Sequence, residues 1–492
     1  LFPVRKIEMK KSFLSLLAGL LVFSACSNDS EIVVPDDVTV QDFMWRAMNF
    51  WYFWQADVPL LDDNQLNNAE SYTDLLESQP DPESFYESIQ FIEDRFSFLR
   101  TEYSVLVDDL NGISKSNGLE FGLVPIGDSG DLLGYVRYII PESDAADKDI
   151  SRGELFIGVN GVTLNLSNYR ELLFGLDDTY TLNMADINGT AITPNGKSVT
   201  LTKELDLVEN PVFIARTLDV QGQKIGYLMY NRFLSDFNAQ LNQAFGQFVN
   251  DGVTDLILDL RYNGGGSVNT ARLLSSMIYG TNTNEIFLRQ RWNDKIQGLL
   301  STAQLEDYFA NTIDGSTPVN TLNLNRVFVI GTNSTASSSE LVMNGLDPYI
   351  EVIHIGETTR GKNEFSITLV DDPGNSYIYD KDRVGNINPD NSYGLQPLVG
   401  RNENANGFFD YTAGFSPDIL LEEDLSNLGI LGQVSEPLLA RALQEITGVS
   451  TKRNWDVVLP AKVMAESKQV TPLFQKSVLD KKMDIPALMN QQ

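Results

Sequence analysis

The chain has one histidine and one cysteine in 492 residues, His354 and Cys26, and each scarcity excludes chemistry. A lone cysteine cannot form an intramolecular disulfide or a multi-cysteine metal site. The His/Cys/Asp spacing of a zinc site is missing, and any Ser-His-Asp hydrolase built on this chain would have to use His354 itself. Basic residues are also short. Lys and Arg number 36 against 67 Asp and Glu, a net of −31, which disfavours nucleic acid and anionic surfaces as partners. The apolar run Phe13–Phe23 is too short to span a bilayer. What is present is ordinary for a globular protein, with 42% hydrophobic and 21% charged residues. The length predicts two or three domains.

The segment "MKKSFLSLLAGLLVFSAC" places Lys10 and Lys11 before that apolar run and small residues before Cys26. This is the order of a bacterial secretion signal. Cys26 after "FSA" resembles a lipobox, with Phe23 departing from the usual aliphatic residue. The resemblance implies a signal peptide over 1–26, lipidation at Cys26 and a polar linker over 27–38. The protein is then expected to be an exported lipoprotein of a bacterial cell envelope, held to a membrane through its lipid. "SNDSE" after the cysteine is similar to acidic surface-export signals.

Residues 39–104 carry apolar positions at helical spacing and are expected to form an N-terminal helical domain. Phe43, Trp45, Phe50, Trp51, Phe53 and Trp54 read as the core of a small bundle. From 105 to 205 short β-type runs and turns take over, among them "NGLEFGLVPIG" and "LGYVRYIIPES". Residues 206–445 alternate apolar strands such as "VTDLILDL" and "NRVFVIG" with helices such as "SDFNAQLNQAFGQFVNDG". Strands without polar alternation, separated by helices, predict a sheet covered on both faces. The expected fold class is therefore α/β and multidomain. Residues 446–492 show no pattern that assigns them.

Three segments carry candidate chemistry. "TASSSEL" begins where a buried strand gives way to a helix, and its Ser337-to-Glu340 stretch fits a capping box. A strand-to-helix turn also exposes a side chain, and free helix amides can stabilise an oxyanion. "GETTRGK" supplies Lys362, which can act as a base only if burial lowers its pKa from about 10.4. That segment nearly matches a phosphate-binding loop. Asn363 replaces the Ser or Thr that binds magnesium there, and a strand follows where a helix is required, so no nucleotide is expected. "DLRYNGGGSV" offers successive glycines whose backbone can approach an anion closely.

Two resemblances connect these segments. Residues 105–205 are similar to a PDZ domain, on "GLEF" and on "SDAADKDISRGELFIGVNGV". This implies that Gly118, Leu119, Glu120 and Phe121 bind an extended or C-terminal peptide. "DLRYNGGG", "TASSSEL" and "GETTRGK" in that order, with Lys362 25 residues after Ser337, and the late "GFSPDILL", resemble the C-terminal processing peptidases of family S41. That resemblance runs from the PDZ-like region to about residue 445.

It implies an α/β peptidase core of the ClpP/crotonase-like type over 206–445, acting on peptide or protein substrates without cofactor or metal. Aligned on the family's "T-A-S-A-S-E", Ser337 is the nucleophile and Lys362 the general base. The Ser338 amide, with that of Gly264 or Gly265, forms the oxyanion hole. Two departures stand out. Ser366 replaces a glutamine four residues after the lysine. Pro348 replaces an acidic residue eleven after the serine, which leaves Asp347 as the candidate orienting residue. The alternatives are a non-catalytic peptide-binding lipoprotein on the same fold and, third, an ester hydrolase.

Overall fold

The computed structural model describes residues 32–189, 191–449, 454–470 and 477–479. The signal-like segment and Cys26 lie outside the described residues. The fold is mixed α/β with several sheets.

Helices α1 (Thr39–Trp51), α2 (Ala69–Leu76) and α3 (Pro82–Ser88) open the chain. Asn68 and Asp81 cap α2 and α3 through their side chains, and Pro82 starts α3 where its missing N–H costs nothing. Phe43, Trp45 and Trp51 are buried, but they do not close on one another as an isolated bundle would. They join one apolar core with Phe245, Leu274 and Phe365 further along the chain. Trp51 Nε1 donates to the Ser376 carbonyl at 2.7 Å, and its ring lies 6.0 Å from Trp292.

A largely antiparallel sheet follows: β1 (Leu119–Pro125), β2 (Leu132–Ile139), β3 (Leu155–Val159), β4 (Thr179–Asn188) and β5 (Ala191–Thr202). Helix α4 (Tyr169–Phe174) bridges β3 and β4. Leu119, Phe121, Val136, Phe156, Leu173 and Leu182 share its core.

The central sheet holds β6 (Val212–Val220), β7 (Gln223–Tyr230), β8 (Asp255–Asp259), β12 (Arg326–Gly331), β13 (Glu351–Gly356) and β16 (Ile419–Leu420), in that order. Only the β6–β7 pair is antiparallel. Every residue of β8, "DLILD", is buried, as a parallel strand between two layers requires. Helix α5 (Asn238–Asp251) precedes β8 and stops at Gly252, whose φ of 75° is the left-handed cap that glycine takes without strain.

A third sheet runs in the order β9 (Gly266–Ser267), β18 (Ser477–Val478), β14 (Glu364–Ser366), β15 (Leu398–Glu403), β10 (Ile286–Trp292), β11 (Glu306–Tyr308). Helices α6 (Val268–Ile278), α7 (Ser338–Leu346) and α8 (Pro437–Thr447) pack on these layers. One further strand, β17 (Ala465–Glu466), lies at the edge of the first sheet, beside β1.

Candidate active site

The serine-rich run occupies the turn from β12 into α7, and its hydroxyls are largely consumed in building that turn. Thr335 Oγ1 donates to the Leu260 carbonyl at 2.8 Å and Thr332 Oγ1 to that of Arg261. Ser338 Oγ donates to Gly266 O at 2.8 Å and Ser339 Oγ to Asn263 O at 3.0 Å. Ser334 Oγ donates to the Glu466 carboxylate at 2.9 Å. The run is thus laced to the loop after β8, which carries the glycines. Ser337 differs from its neighbours in its backbone. It caps α7 at φ 65° and ψ −115°, a region that costs a non-glycine residue about 1–3 kcal/mol and persists only where the surroundings enforce it.

Glu340 enforces it. Its Oε2 accepts from the amides of Ser337 at 2.8 Å and Lys362 at 2.9 Å. Its Oε1 accepts from Thr359 Oγ1 and from the Gly361 amide, both at 2.6 Å. One carboxylate therefore fixes the serine segment against the lysine segment. Burial pushes its pKa up to about 7, opposed by these four donors, which suit the anion. The capping box expected from sequence is present, but its glutamate also spans to residues 359–362. That second reach has no local signal in the sequence.

Lys362 follows Gly361, whose φ is 79° and where a Cβ would meet the Thr412 carbonyl at 2.2 Å, so only glycine fits. The lysine is fully buried, and among the described residues its Nζ has no hydrogen-bond partner. It stands 5.2 Å from the centre of the Phe96 ring. Burial lowers its pKa to about 8, against the carboxylates of Glu364, Asp94 and Glu340. Burial also raises the pKa of Glu364, the strongest of those three influences. Arg95 donates to the Gly361 carbonyl at 2.6 Å. The segment Asp94–Phe96 thus wraps the lysine from more than 260 positions away, beyond the reach of any local motif.

The structure does not bring the candidate orienting residue, Asp347, together with Ser337 and Lys362. That residue is exposed at the C-terminal end of α7, roughly 15 Å along the helix from Ser337 at 1.5 Å per residue. Ser366, at the glutamine position, accepts from the Gln396 amide at 2.9 Å, and Thr368 Oγ1 holds that amide's oxygen at 2.8 Å. His354 lies on β13 with its ring packed toward Gly331, and burial lowers its pKa. Its backbone N–H, not its ring, meets the Asp418 carboxylate, at 2.8 Å.

Of the two glycines expected to offer amides, Gly265 donates to Asn263 Oδ1 at 2.9 Å. Asn263 is itself held by the Tyr230 carbonyl at 2.8 Å. Beneath this loop Arg261 is fully buried and forks onto Asp259 and Glu436, both at 2.7 Å, with Glu423 at 3.2 Å. Gly118, Leu119, Glu120 and Phe121 lie at the start of β1. Gly118 has φ 80°, and the Leu119 amide is satisfied by Asn117 Oδ1 at 3.1 Å. A cavity of about 320 Å³ runs from Leu119, Phe121 and Phe174 to Gly264 and Gly265.

If Lys362 supplies the base, turnover requires its neutral form. With its pKa near 8, the rate should climb as pH rises through about 8 and then level off. Below that it should fall about tenfold per pH unit. A kcat/KM profile from pH 6 to 10 reads this directly. A plateau extending below pH 7 would exclude the lysine as base.

The profile of Peptidase family S41 matches residues 224–379, and that of the Peptidase S41 N-terminal domain matches residues 39–98. The chloroplastic C-terminal processing peptidase of Tetradesmus obliquus is 25% identical over 304 residues, covering 58% of this chain and 56% of that protein. The chloroplastic carboxyl-terminal-processing peptidase 3 of Arabidopsis thaliana is 24% identical over 280 residues, covering 51% of this chain and 50% of that protein. The chain thus spans about half the length of these curated relatives. A Bacteroides fragilis crystal structure assigned to the S41 proteases superposes with a TM-score of 0.63 at 27% identity, covering 83% of this chain and 97% of that one. The serine turn, the buried lysine and the glycine loop all lie within residues 224–379, the part of the chain that matches peptidase family S41.

Proposed function

We propose that the protein is an exported serine endopeptidase in which Ser337 is the nucleophile and Lys362 the general base. One observation carries the reading. A buried lysine, with no hydrogen-bond partner on Nζ and a pKa lowered to about 8, is tied through Glu340 to a serine held at φ 65° on a helix N-terminus. Ser337 Oγ attacks the peptide carbonyl while its proton passes to Lys362 Nζ. The amides of Ser338 and Gly264 take the oxyanion. The lysine then protonates the leaving amine, and water, deprotonated by the same Nζ, hydrolyses the acyl-enzyme.

The sheet β1–β5 serves as a PDZ-like unit that receives an extended or C-terminal peptide segment along β1 and α4. The cavity leading from Phe121 and Phe174 to Gly264 supports that route. The central parallel sheet and its helices form the ClpP/crotonase-like core. Lipidation at Cys26 tethers the enzyme to a membrane of the bacterial envelope.

Activity-based labelling tests the assignment. A fluorophosphonate should modify the full chain at Ser337, located by peptide mass spectrometry, and the same protein should cleave an unstructured polypeptide. Modification at another serine, or cleavage that survives Ser337→Ala, would sink it. A second reading, a peptide-binding protein without turnover, is favoured by one specific feature: Lys362 Nζ makes no hydrogen bond to Ser337. Tight peptide binding with no labelling would select it.

A further inference from the structure

Two stretches of the C-terminal region that have no sequence pattern, 464–468 and 477–479, pair with strands near the candidate site. Strand β17 pairs antiparallel with β1, Ala465 opposite Leu123 and Glu466 opposite Gly122. The Met464 amide donates to the Leu123 carbonyl at 2.9 Å. Ser467 continues along the same edge. Its Oγ accepts from the Phe121 amide at 3.0 Å and donates to Glu120 at 2.6 Å. Lys468 Nζ reaches Glu209 at 3.0 Å. This is strand addition at the sheet edge beginning with "GLEF", the mode by which such an edge binds a peptide backbone.

The contacts then reach the catalytic loops. Glu466 pairs with buried Arg137 of β2 and accepts from Ser334 of the serine turn. Further on, β18 inserts between β9 and β14 and runs parallel to both, with Ser477 opposite Gly266 and Phe365, and Val478 opposite Ser267 and Ser366. The Leu479 amide donates to the Ser366 carbonyl at 3.0 Å. β9 continues directly from Gly264 and Gly265, and its Gly266 carbonyl receives Ser338 Oγ. β14 begins two residues after Lys362. The inserted strand therefore joins the two segments that flank the proposed chemistry. Val478 and Leu479 also line a second cavity, of about 480 Å³, with Phe233, Ile367 and Tyr379.

We propose that β17 and β18 are tethered occupants of the enzyme's own peptide-binding track, β17 pairing with β1 and β18 lying between β9 and β14 where substrate backbone would pair. The inference rests on the peptidase reading above and specifies the ligand that reading leaves open. The ligand is an extended peptide that adds as an antiparallel strand to β1 and as a parallel strand between the glycine and lysine segments. A tethered ligand competes at an effective concentration near millimolar, so substrate must displace it.

The test separates binding from turnover. In the Ser337→Ala background, a fluorescent peptide of residues 474–482 is titrated into three proteins: the full chain, the full chain with Leu479→Asp, and a chain ending at Val470. The last keeps Glu466 and its pairing with Arg137. The peptide should bind both altered proteins at least about tenfold more tightly than the full chain. With Ser337 restored, both should show a lower KM for an unstructured substrate with kcat little changed. Equal affinity for all three proteins, or no binding to the chain ending at Val470, overturns the proposal. Absence of turnover in every form refutes the peptidase reading, while the binding comparison still judges the tethered strand.

Discussion

The Lys362→Met chain should lose peptide cleavage by about 10³–10⁴-fold, the usual contribution of a positioned base acting with its nucleophile, and should melt no lower than the parent at pH 7. The two halves of this expectation have one physical source. Lys362 is fully buried, and its pKa falls from 10.5 to about 8, roughly 3 kcal/mol against the charged form.

The folded pKa lies below the unfolded one, so at pH 7 the native state bears nearly all of that penalty. The penalty fades as pH climbs from about 8 towards 10.5. Methionine has similar length and no charge, and it removes the penalty at every pH. Its melting advantage should therefore be largest near neutrality and shrink by pH 10, read by thermal melts across that range. Lys362→Arg keeps a cation but supplies no base at these pH values, so it should be equally inactive. A Met variant that is both inactive and unfolded would give the lysine a structural role. A Met variant that still cleaves would remove it from the mechanism.

The parts of this site legible in sequence were those built from short contiguous runs. "TASSSEL" could be placed on a strand-to-helix turn because the apolar "NRVFVIG" precedes it and a capping pair follows. The spacing to Lys362 came only from resemblance, since nothing local shows that residue 362 is buried. What stayed hidden depends on long-range approach. Asp94, Arg95 and Phe96 reach the lysine through the packing of α1–α3 on the main core. Gln396 reaches Ser366 of β14 from the segment just before β15, 30 positions away.

Helical geometry carries Asp347 to the far end of α7, whereas Glu340, three residues after the serine, faces back into the site. The segment after 446 was opaque for the same reason. Two-residue strands such as β17 and β18 have no periodicity to detect, and they exist only because β1, β9 and β14 offer edges.

Arg261→Met should destabilise the fold by about 3–5 kcal/mol, the cost of stranding buried carboxylates, lowering Tm by on the order of 10 °C. Arg261 is fully buried and is the cation on which Asp259, Glu436 and Glu423 converge. The loop from β2 into β3 joins the same cluster, since Arg152 binds Glu423 at 2.8 Å and the Tyr262 hydroxyl at 2.7 Å. Together Arg152 and Arg261 hold Glu423 ionised, down to about pH 2, although burial alone would raise it.

A carboxyl with a depressed folded pKa contributes stability above its unfolded value, about 4.3, and loses it as pH falls through about 2. Without Arg261, the folded pKa of Glu423 rises and protonation relieves the stranded charge. The gap in Tm between variant and parent should therefore narrow from pH 7 to pH 5, and Arg261→Lys, a cation without the fork, should fall between them. The loss should reach the active site as well. The Arg261 carbonyl receives Thr332 Oγ1 and the Asn263 carbonyl receives the Ala336 amide, so the ion cluster, the glycine loop and the serine turn shift together. At a temperature where the Arg261→Met chain is still folded, its kcat should fall further than its substrate affinity. A variant that melts early but cleaves at the parental kcat would show that the cluster supports the fold without setting the position of Ser337.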